Sequence, residues 1–335
     1  MARFGFHSGF ALAAATTLIV ACAPSSRVGS GDDDDDDGHG IDAGGFVDAG
    51  GGFIDGGGFP MADAGAQGAC DKIDVLFVID NSNSMAEEQT NLAVNFPMFA
   101  QIVESYMTSA GHTLDYHLAV TTTDKSYSVT TAGFDPFLSV GNDGKFLTGA
   151  NCAFPAGRRY LQRGDANVSS IFACVANVGI AGDGREMPLE TARLALVDRM
   201  QDGYNAGFLR ADALLAIVLL TDEDDCSTAE TMFDNPTHLF NCTGTYLEPP
   251  ASYATKFDAI KGGERARWAT AVLAGLTNCM SNLGDAVQAT RLLEYTQAVG
   301  TNQVFSSICE GDLAGPLADA FSTFGVACEN IPGPP

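Results

Sequence analysis

Apolar positions along the chain fall into two alternating rhythms. Residues 73–79 form a short, nearly unbroken apolar run, and similar runs cover 114–123, 213–221, 268–275 and 304–308. A run of this length without polar alternation marks a strand covered on both faces, as in a parallel sheet. A further strand is expected near 134–147. Between the runs the period lengthens. Leu92, Phe96, Phe99, Val103 and Met107 recur at helical spacing, with Pro97 expected to bend that helix. Leu189, Ala192, Leu196 and Met200 make a second helical stripe, opened by Pro188 and closed by Gly203. Further helices are expected over 286–299 and 312–324. Strands alternating with helices predict an α/β fold: a doubly wound, mostly parallel sheet flanked by helices, carrying loop insertions. Ligands of such sheets sit beyond the carboxyl ends of the strands, so the search for chemistry begins there.

Upstream of residue 70 the pattern changes. Residues 10–20 are almost wholly apolar and follow Arg3. They are too few to span a bilayer and right for the core of an export signal. The segment ends Ile19-Val20-Ala21-Cys22, which resembles the bacterial lipobox. That resemblance implies that Cys22 becomes the first mature residue and carries acyl chains, anchoring the protein to a membrane. The residues after it, Pro24 and Ser25 rather than Asp, resemble the sorting habit of diderm bacteria and imply the cell envelope, at the outer membrane. Residues 23–69 are low in complexity, with the acidic run Asp32 to Asp37 and a loose seven-residue repeat carrying Phe46, Phe53 and Phe59. Glycine-rich acidic sequence cannot bury enough apolar area to offset its ordering, so a spacer of roughly 40 Å r.m.s. span is expected. Asp33, Asp35 and Asp37 alternate before Gly38 as in a calcium loop, but Gly44 stands where such a loop needs a bidentate Glu. The organisation expected is therefore a signal peptide over 1–21, the lipidated cysteine and tether over 22–69, one folded domain over 70–330 and a short tail over 331–335.

Composition narrows the partners. Of 335 residues, 46% are hydrophobic, enough for a substantial core, and the formal net charge is −25. Such a balance excludes nucleic acid and anionic lipid headgroups as partners held by charge. Apart from Cys22 there are eight cysteines, an even number that suits an oxidising compartment and four disulfides. Spacing favours Cys152 with Cys174 and Cys226 with Cys242, while Cys70 and Cys328 bracket the domain and leave Cys279 for Cys309. No CxxC pair occurs, which weighs against a thiolate metal site.

Oxygen-rich residues gather at two expected strand ends. The first strand runs into Asp80-Asn81-Ser82-Asn83-Ser84, and the strand over 213–221 runs into Thr221-Asp222-Glu223-Asp224-Asp225. Alternating carboxylate and hydroxyl oxygens suit a hard divalent cation: Mg, Ca or Mn. A strand, then Asp80-x-Ser82-x-Ser84, then a helix, with a later strand ending Thr221-Asp222, resembles the von Willebrand factor A (VWA) domain and its metal-ion-dependent adhesion site. The resemblance covers most of residues 70–330. It implies that Ser82 and Ser84 bind the ion directly, that Asp80 and Asp222 hold it largely through water, and that a partner's carboxylate completes the coordination. The family's further Thr ligand falls at Glu186, with Thr191 as the alternative, and the usual Gly after the Thr-Asp pair is replaced by Glu223. A carboxylate at 186 would tighten cation binding and weaken an anionic partner's approach.

The resulting expectation is a non-enzymatic surface or periplasmic lipoprotein that binds a protein or envelope partner through a divalent ion. Two alternatives remain: a structural ion without ligand exchange, and a Mg-dependent phosphohydrolase of the haloacid dehalogenase type, which would need an acid where Ser82 stands. The competing structural reading of Asp80, Ser82 and Ser84 is a helix cap, and that of Glu223, Asp224 and Asp225 is a solvated acidic loop. The tripeptide Arg163-Gly164-Asp165, the sequons at Asn167 and Asn241, the histidines His112, His117 and His238, and Trp268 are expected to be structural or surface features.

Overall fold

The computed structural model describes residues 70–108, 111–130, 136–235, 242, 244–281, 284–310 and 313–331. All of them lie in the compact unit Phe59–Pro335. The expected signal, Cys22, the tether, Asn241 and His238 lie outside the described residues.

A six-stranded sheet forms the centre. Its strands are β1 (Lys72–Ile79), β2 (Asp115–Thr122), β5 (Leu161–Gln162), β6 (Leu214–Leu220), β8 (Trp268–Ala274) and β11 (Gln303–Ser307), in spatial order β11-β8-β6-β1-β2-β5. Every pairing is parallel except that of the short edge strand β5, which runs antiparallel to β2. The expected α/β doubly wound sheet is therefore present. Chain order reverses between β1 and β6, which makes that junction the topological switch point.

Alternation within the buried strands builds a core on each face. From β1, Val75, Phe77 and Ile79 join one cluster while Leu76 and Val78 join the other; β6 divides in the same way. Helices α1 (Ala86–Ser105), α2 (Val168–Ala176) and α7 (Ala314–Glu329) cover the first face. Phe77 meets Phe99 and Phe172 edge-on at 5.0 Å each, and Phe96 at 5.9 Å. Helices α3 (Pro188–Leu196), α5 (Pro250–Ile260) and α6 (Thr290–Val299) cover the second face. There Trp268 is fully buried and donates its indole N–H to Asp258 at 2.7 Å, a core role. The helix expected to continue to Met200 breaks at Val197 (φ −116°, ψ −71°) and resumes as the short α4 (Asp198–Gln201). No described helix is long and apolar enough to cross a membrane.

One expected strand is misplaced. The 134–147 segment supplies β4 (Phe137–Ser139), which does not enter the main sheet. It pairs antiparallel with β3 (Tyr127–Val129), which itself pairs in parallel with β7 (Met232–Phe233). The physical cause is a turn: Asp143 and Gly144 have positive φ (56° and 73°), which ends any strand through them. The main-sheet edge goes instead to Leu161–Gln162. A small hairpin, β9 (Cys279–Ser281) with β10 (Gly284–Ala286), completes the set.

All eight cysteines pair as the spacing suggested: Cys70–Cys328, Cys152–Cys174, Cys226–Cys242 and Cys279–Cys309. The first closes a loop of 258 residues and ties the start of β1 to the end of α7. Replacing Cys70 and Cys328 together by Ser should lower the unfolding free energy by about 2–5 kcal/mol, measured by denaturant titration. Phe77→Ala should cost about 3–5 kcal/mol, seen as a lower denaturation midpoint with an unchanged slope.

Candidate metal centre

Register places the site. Ile79 lies opposite Leu220 on one side and Thr122 on the other, so the next residues, Asp80, Thr221 and Thr123, stand side by side at the carboxyl edge. The Asp80 N–H donates to the Leu220 carbonyl at 2.9 Å, extending the ladder one step past the strand. Both oxygens of the buried Asp80 carboxylate are then engaged. Oδ1 accepts the Ser82 N–H at 2.7 Å, and Oδ2 accepts the Thr221 hydroxyl at 2.7 Å. Gln89 donates to the Asp80 carbonyl at 2.8 Å. Asp80 is thus a fixed post around which the loop turns.

The serines do not cap the helix. Ser82 stands at the N-terminus of a single 3-10 turn, Asn83–Met85, without a side-chain capping bond. Its hydroxyl lies 2.8 Å from that of Ser84 instead. Ser82 is buried and Ser84 exposed, so the hydroxyl pair runs from the interior to the surface. Ser84 lies near enough to Asp222 to offset part of the rise in its carboxyl pKa. Oxygens from the tips of β1 and β6 meet directly in the Thr221–Asp80 hydrogen bond.

The third side comes from the loop before α3. Gly182 N–H donates to the Asn81 carbonyl at 2.7 Å, and any Cβ at 182 would collide with the Asn81 side chain. Glycine allows this approach and carries Glu186 inward, fully buried. Glu186 Oε2 accepts a hydrogen bond from the Thr123 hydroxyl, and its Oε1 has no partner. Thr191, the alternative, spends its hydroxyl on the Met187 and Pro188 carbonyls of its own helix at 3.0 and 3.2 Å.

Electrostatically the site is in conflict with itself. Burial and then the neighbouring Asp80 push the Asp222 carboxyl up to about 7. Burial raises Asp80, and burial together with Asp80 raises Glu186 well above the ordinary glutamate value. Among the described residues no Lys or Arg forms an ion pair with any of the three. The nearby bases are occupied: Lys125 donates to the Thr228 and Glu230 carbonyls, and Arg185 lies over the Phe233 ring at 4.8 Å. Asp222 Oδ1, like Glu186 Oε1, is buried without a partner. Buried like charges with orphaned oxygens are what a hard cation would satisfy, so the donor set fits one. Among the described residues no three His, Cys, Asp or Glu side chains form a metal-holding group by themselves. A cation here would need the hydroxyls of Ser82 and Ser84 as well as carboxylates.

Sequence reasoning missed two contributors. Thr123 orients Glu186; its signal was its place at the end of a strand neighbouring β1. Glu88 is fully buried, both its oxygens lack partners, and burial followed by Asp222 pushes it up to about 7. Its signal was a position four residues after Ser84, one helical turn on.

The remaining candidates resolve into structure. The acidic loop is not simply solvated. Asp225 is fully buried and pairs with Arg291 at 3.0 Å, while Asp224 accepts the N–H groups of Arg291 and Leu292 at the start of α6. Arg163 donates to the Leu114, Val103 and Glu104 carbonyls, and Asp165 pairs with Arg158, so neither charged side chain of that tripeptide is free for a partner. His117 is buried, with Nδ1 2.7 Å from the Phe208 carbonyl, and His112 is exposed beside Asp71.

Raised carboxyl pKa values mean that the fold binds protons more tightly than the unfolded chain does. Without a cation, stability should therefore fall as pH rises from about 4, the ordinary aspartate range, to about 7, the folded Asp222 value. Melting in a chelator across that window checks this, and Mg²⁺ should restore the loss at neutral pH. Glu186→Gln should raise the melting temperature in chelator at pH 7.5 while weakening cation binding by about tenfold or more.

No known family is matched by this chain, and no curated protein is matched. Among solved structures, proximal thread matrix protein 1 from the mussel byssus is similar at 11% identity and a TM-score of 0.38, over 78% of this chain and 47% of that one. The human COPII-coat protein Sec24c is similar at 8% identity and a TM-score of 0.38, over 76% of this chain and 32% of its own. The pilus adhesin SpaC from Lactobacillus rhamnosus GG is similar at 13% identity and a TM-score of 0.37, over 78% and 31%. This chain spans less than half the length of each. Likenesses this distant transfer no residue roles, and the chemistry of the site stands on its own geometry.

Proposed function

We propose that this protein is an exported, lipid-anchored binding module whose α/β domain holds a divalent cation at the β1–β6 switch point and uses it to engage a protein or envelope partner. One observation carries the reading. The adjacent hydroxyls of Ser82 and Ser84 lie at the strand tips that carry Asp80 and Asp222, Glu186 is buried close enough to Asp80 to feel its charge, one oxygen each of Asp222 and Glu186 is buried without a partner, and no base among the described residues pairs with these acids. Ser82 and Ser84 would ligate the ion directly. Asp80, already fixed by Ser82 N–H and Thr221, would hold it through water, as would Asp222. The resemblance of this arrangement to a VWA-type adhesion site supports the same roles. Lipidation at Cys22 would place the domain at the end of an acidic tether on the envelope, probing outward from the membrane.

The exposed Ser84 side is where a partner's carboxylate would reach the ion. Glu186 is fully buried, which also favours the second reading, an ion that only stiffens the loops. An enzymatic reading has less support, because Ser82 occupies the position where a general acid would be needed.

Titrating the mature chain with Mg²⁺, Mn²⁺ and Ca²⁺ by calorimetry tests the site. Asp80→Ala and Ser82→Ala should each weaken binding by about tenfold or more. Immobilised protein should then retain an envelope component only with the cation present, and neither variant should retain it. Cation-dependent melting without retention would favour the structural ion, and phosphate release from a model ester would favour the enzyme.

A further inference from the structure

A second site lies away from the metal centre and does not depend on it. A cavity of about 700 Å³ opens between the loop held by the Cys152–Cys174 bridge and the turn at Gly203–Ala206. Its walls include Ala153, Phe154, Pro155, Arg159 and Tyr204, and they contain no Asp or Glu. Two carboxylates touch this lining from outside, Asp165 pairing with the lining Arg158 and Asp202 accepting the Tyr204 N–H at 2.9 Å, but none lines the cavity itself, in a chain with 42 acidic and 17 basic residues.

The basic side chains sharpen the point. Nearly every described Lys and Arg is held by a carboxylate or a backbone carbonyl. Two have no such partner among the described residues, Lys145 and Arg159, and both lie against the same ring. The Arg159 guanidinium sits 4.0 Å from the Tyr204 ring centre, and Lys145 Nζ lies 6.0 Å from it. Stacking holds the guanidinium plane while leaving its N–H edge free, and that edge matches two oxygens of a carboxylate or phosphate. Lys145 adds a compact positive charge nearby. Gly157 and Gly203, with φ of 87° and 84°, allow the two facing loops to turn without side chains that would fill the mouth.

We propose that this cavity binds an oxyanion, the carboxylate or phosphate group of a ligand small enough to enter it, with Arg159 as the bidentate donor, Tyr204 as its platform and Lys145 as the second charge. The net charge of −25 repels anions at long range, so attraction must be short-ranged and sensitive to salt.

The test uses the mature chain, stripped of cations on an immobilised chelator and held at low chloride. Calorimetric titrations with inorganic phosphate, succinate and a hexa-aspartate peptide separate a free phosphate, a free carboxylate and a peptide-borne carboxylate. Saturable one-to-one binding of at least one probe is expected, weakened by about tenfold or more in Arg159→Ala and several-fold in Lys145→Ala. Arg159→Lys should recover only part of the loss, because it keeps the charge without the planar fork. Tyr204→Phe should bind like the wild type, and restoring Mg²⁺ should leave this binding unchanged, which distinguishes it from anion capture through a bound cation. Circular dichroism confirms that each variant is folded. Absence of saturable binding by all three probes overturns the proposal, as does binding that survives Arg159→Ala in a folded protein.

Discussion

Parallel pairing of β1 with β2 and β6 is the constraint from which the rest follows. All three strands are buried on both faces, so their register is set by the two cores at once. A slip of one residue would send Phe77 out of its aromatic cluster and into the opposite layer. With Ile79 locked between Thr122 and Leu220, the next residue on each strand has nowhere to go but the shared edge. Asp80, Thr123 and Thr221 are neighbours because the apolar residues before them pack. Reversal of chain order at β1–β6 makes that edge the topological switch point.

Burial gives this edge its chemistry. Asp80, Glu186 and Glu88 are fully buried, and Asp222 nearly so, within reach of one another's charge. Such a group destabilises the cation-free fold, and two well-packed hydrophobic layers and four disulfides offset it. The stretch from Thr221 to Asp225 shows how finely the charges are sorted. Thr221 fixes Asp80, Asp222 keeps an unpartnered oxygen, Asp224 caps α6, and Asp225 pairs with Arg291. Asp225 and Ser227 also accept the first N–H groups of α3 at 3.4 and 2.9 Å, so one loop anchors two helices that cover the second face. The acids nearest the switch point lack counter-cations, and those a few residues on are neutralised.

The same economy governs the bases. Most described guanidinium and ammonium groups tie backbone carbonyls or pair with acids at loop junctions, where they hold the fold. Arg210 is typical: it binds Asp74 through its side chain and backbone at 2.7 Å each, at the opposite end of β1 from Asp80. Arg159 and Lys145 depart from that habit beside one aromatic ring, Tyr204, and of the two Arg159 lines the cavity.

Much of this was readable from sequence, because the relevant signals are local. Unbroken apolar runs identified five of the six strands of the main sheet, and their alternation with helical stripes identified the doubly wound class. Eight cysteines at their observed spacings suggested the four bridges that form. The Asp80-x-Ser82-x-Ser84 turn announced itself by its place after a buried strand. Other features depended on contacts between residues far apart. Leu161 and Gln162 are too few to show a period, and they become an edge strand only because β2 offers an unpaired side. Glu186 meets Thr123 across 63 positions, and Asp225 meets Arg291 across 66, so no window along the chain could reveal which acids are neutralised. Periodicity determined which segments are strands and helices, since burial of one face or two is written into neighbouring residues. Which charged groups lose their water, and which find a partner when they do, was decided only when the sheet brought distant loops to one edge.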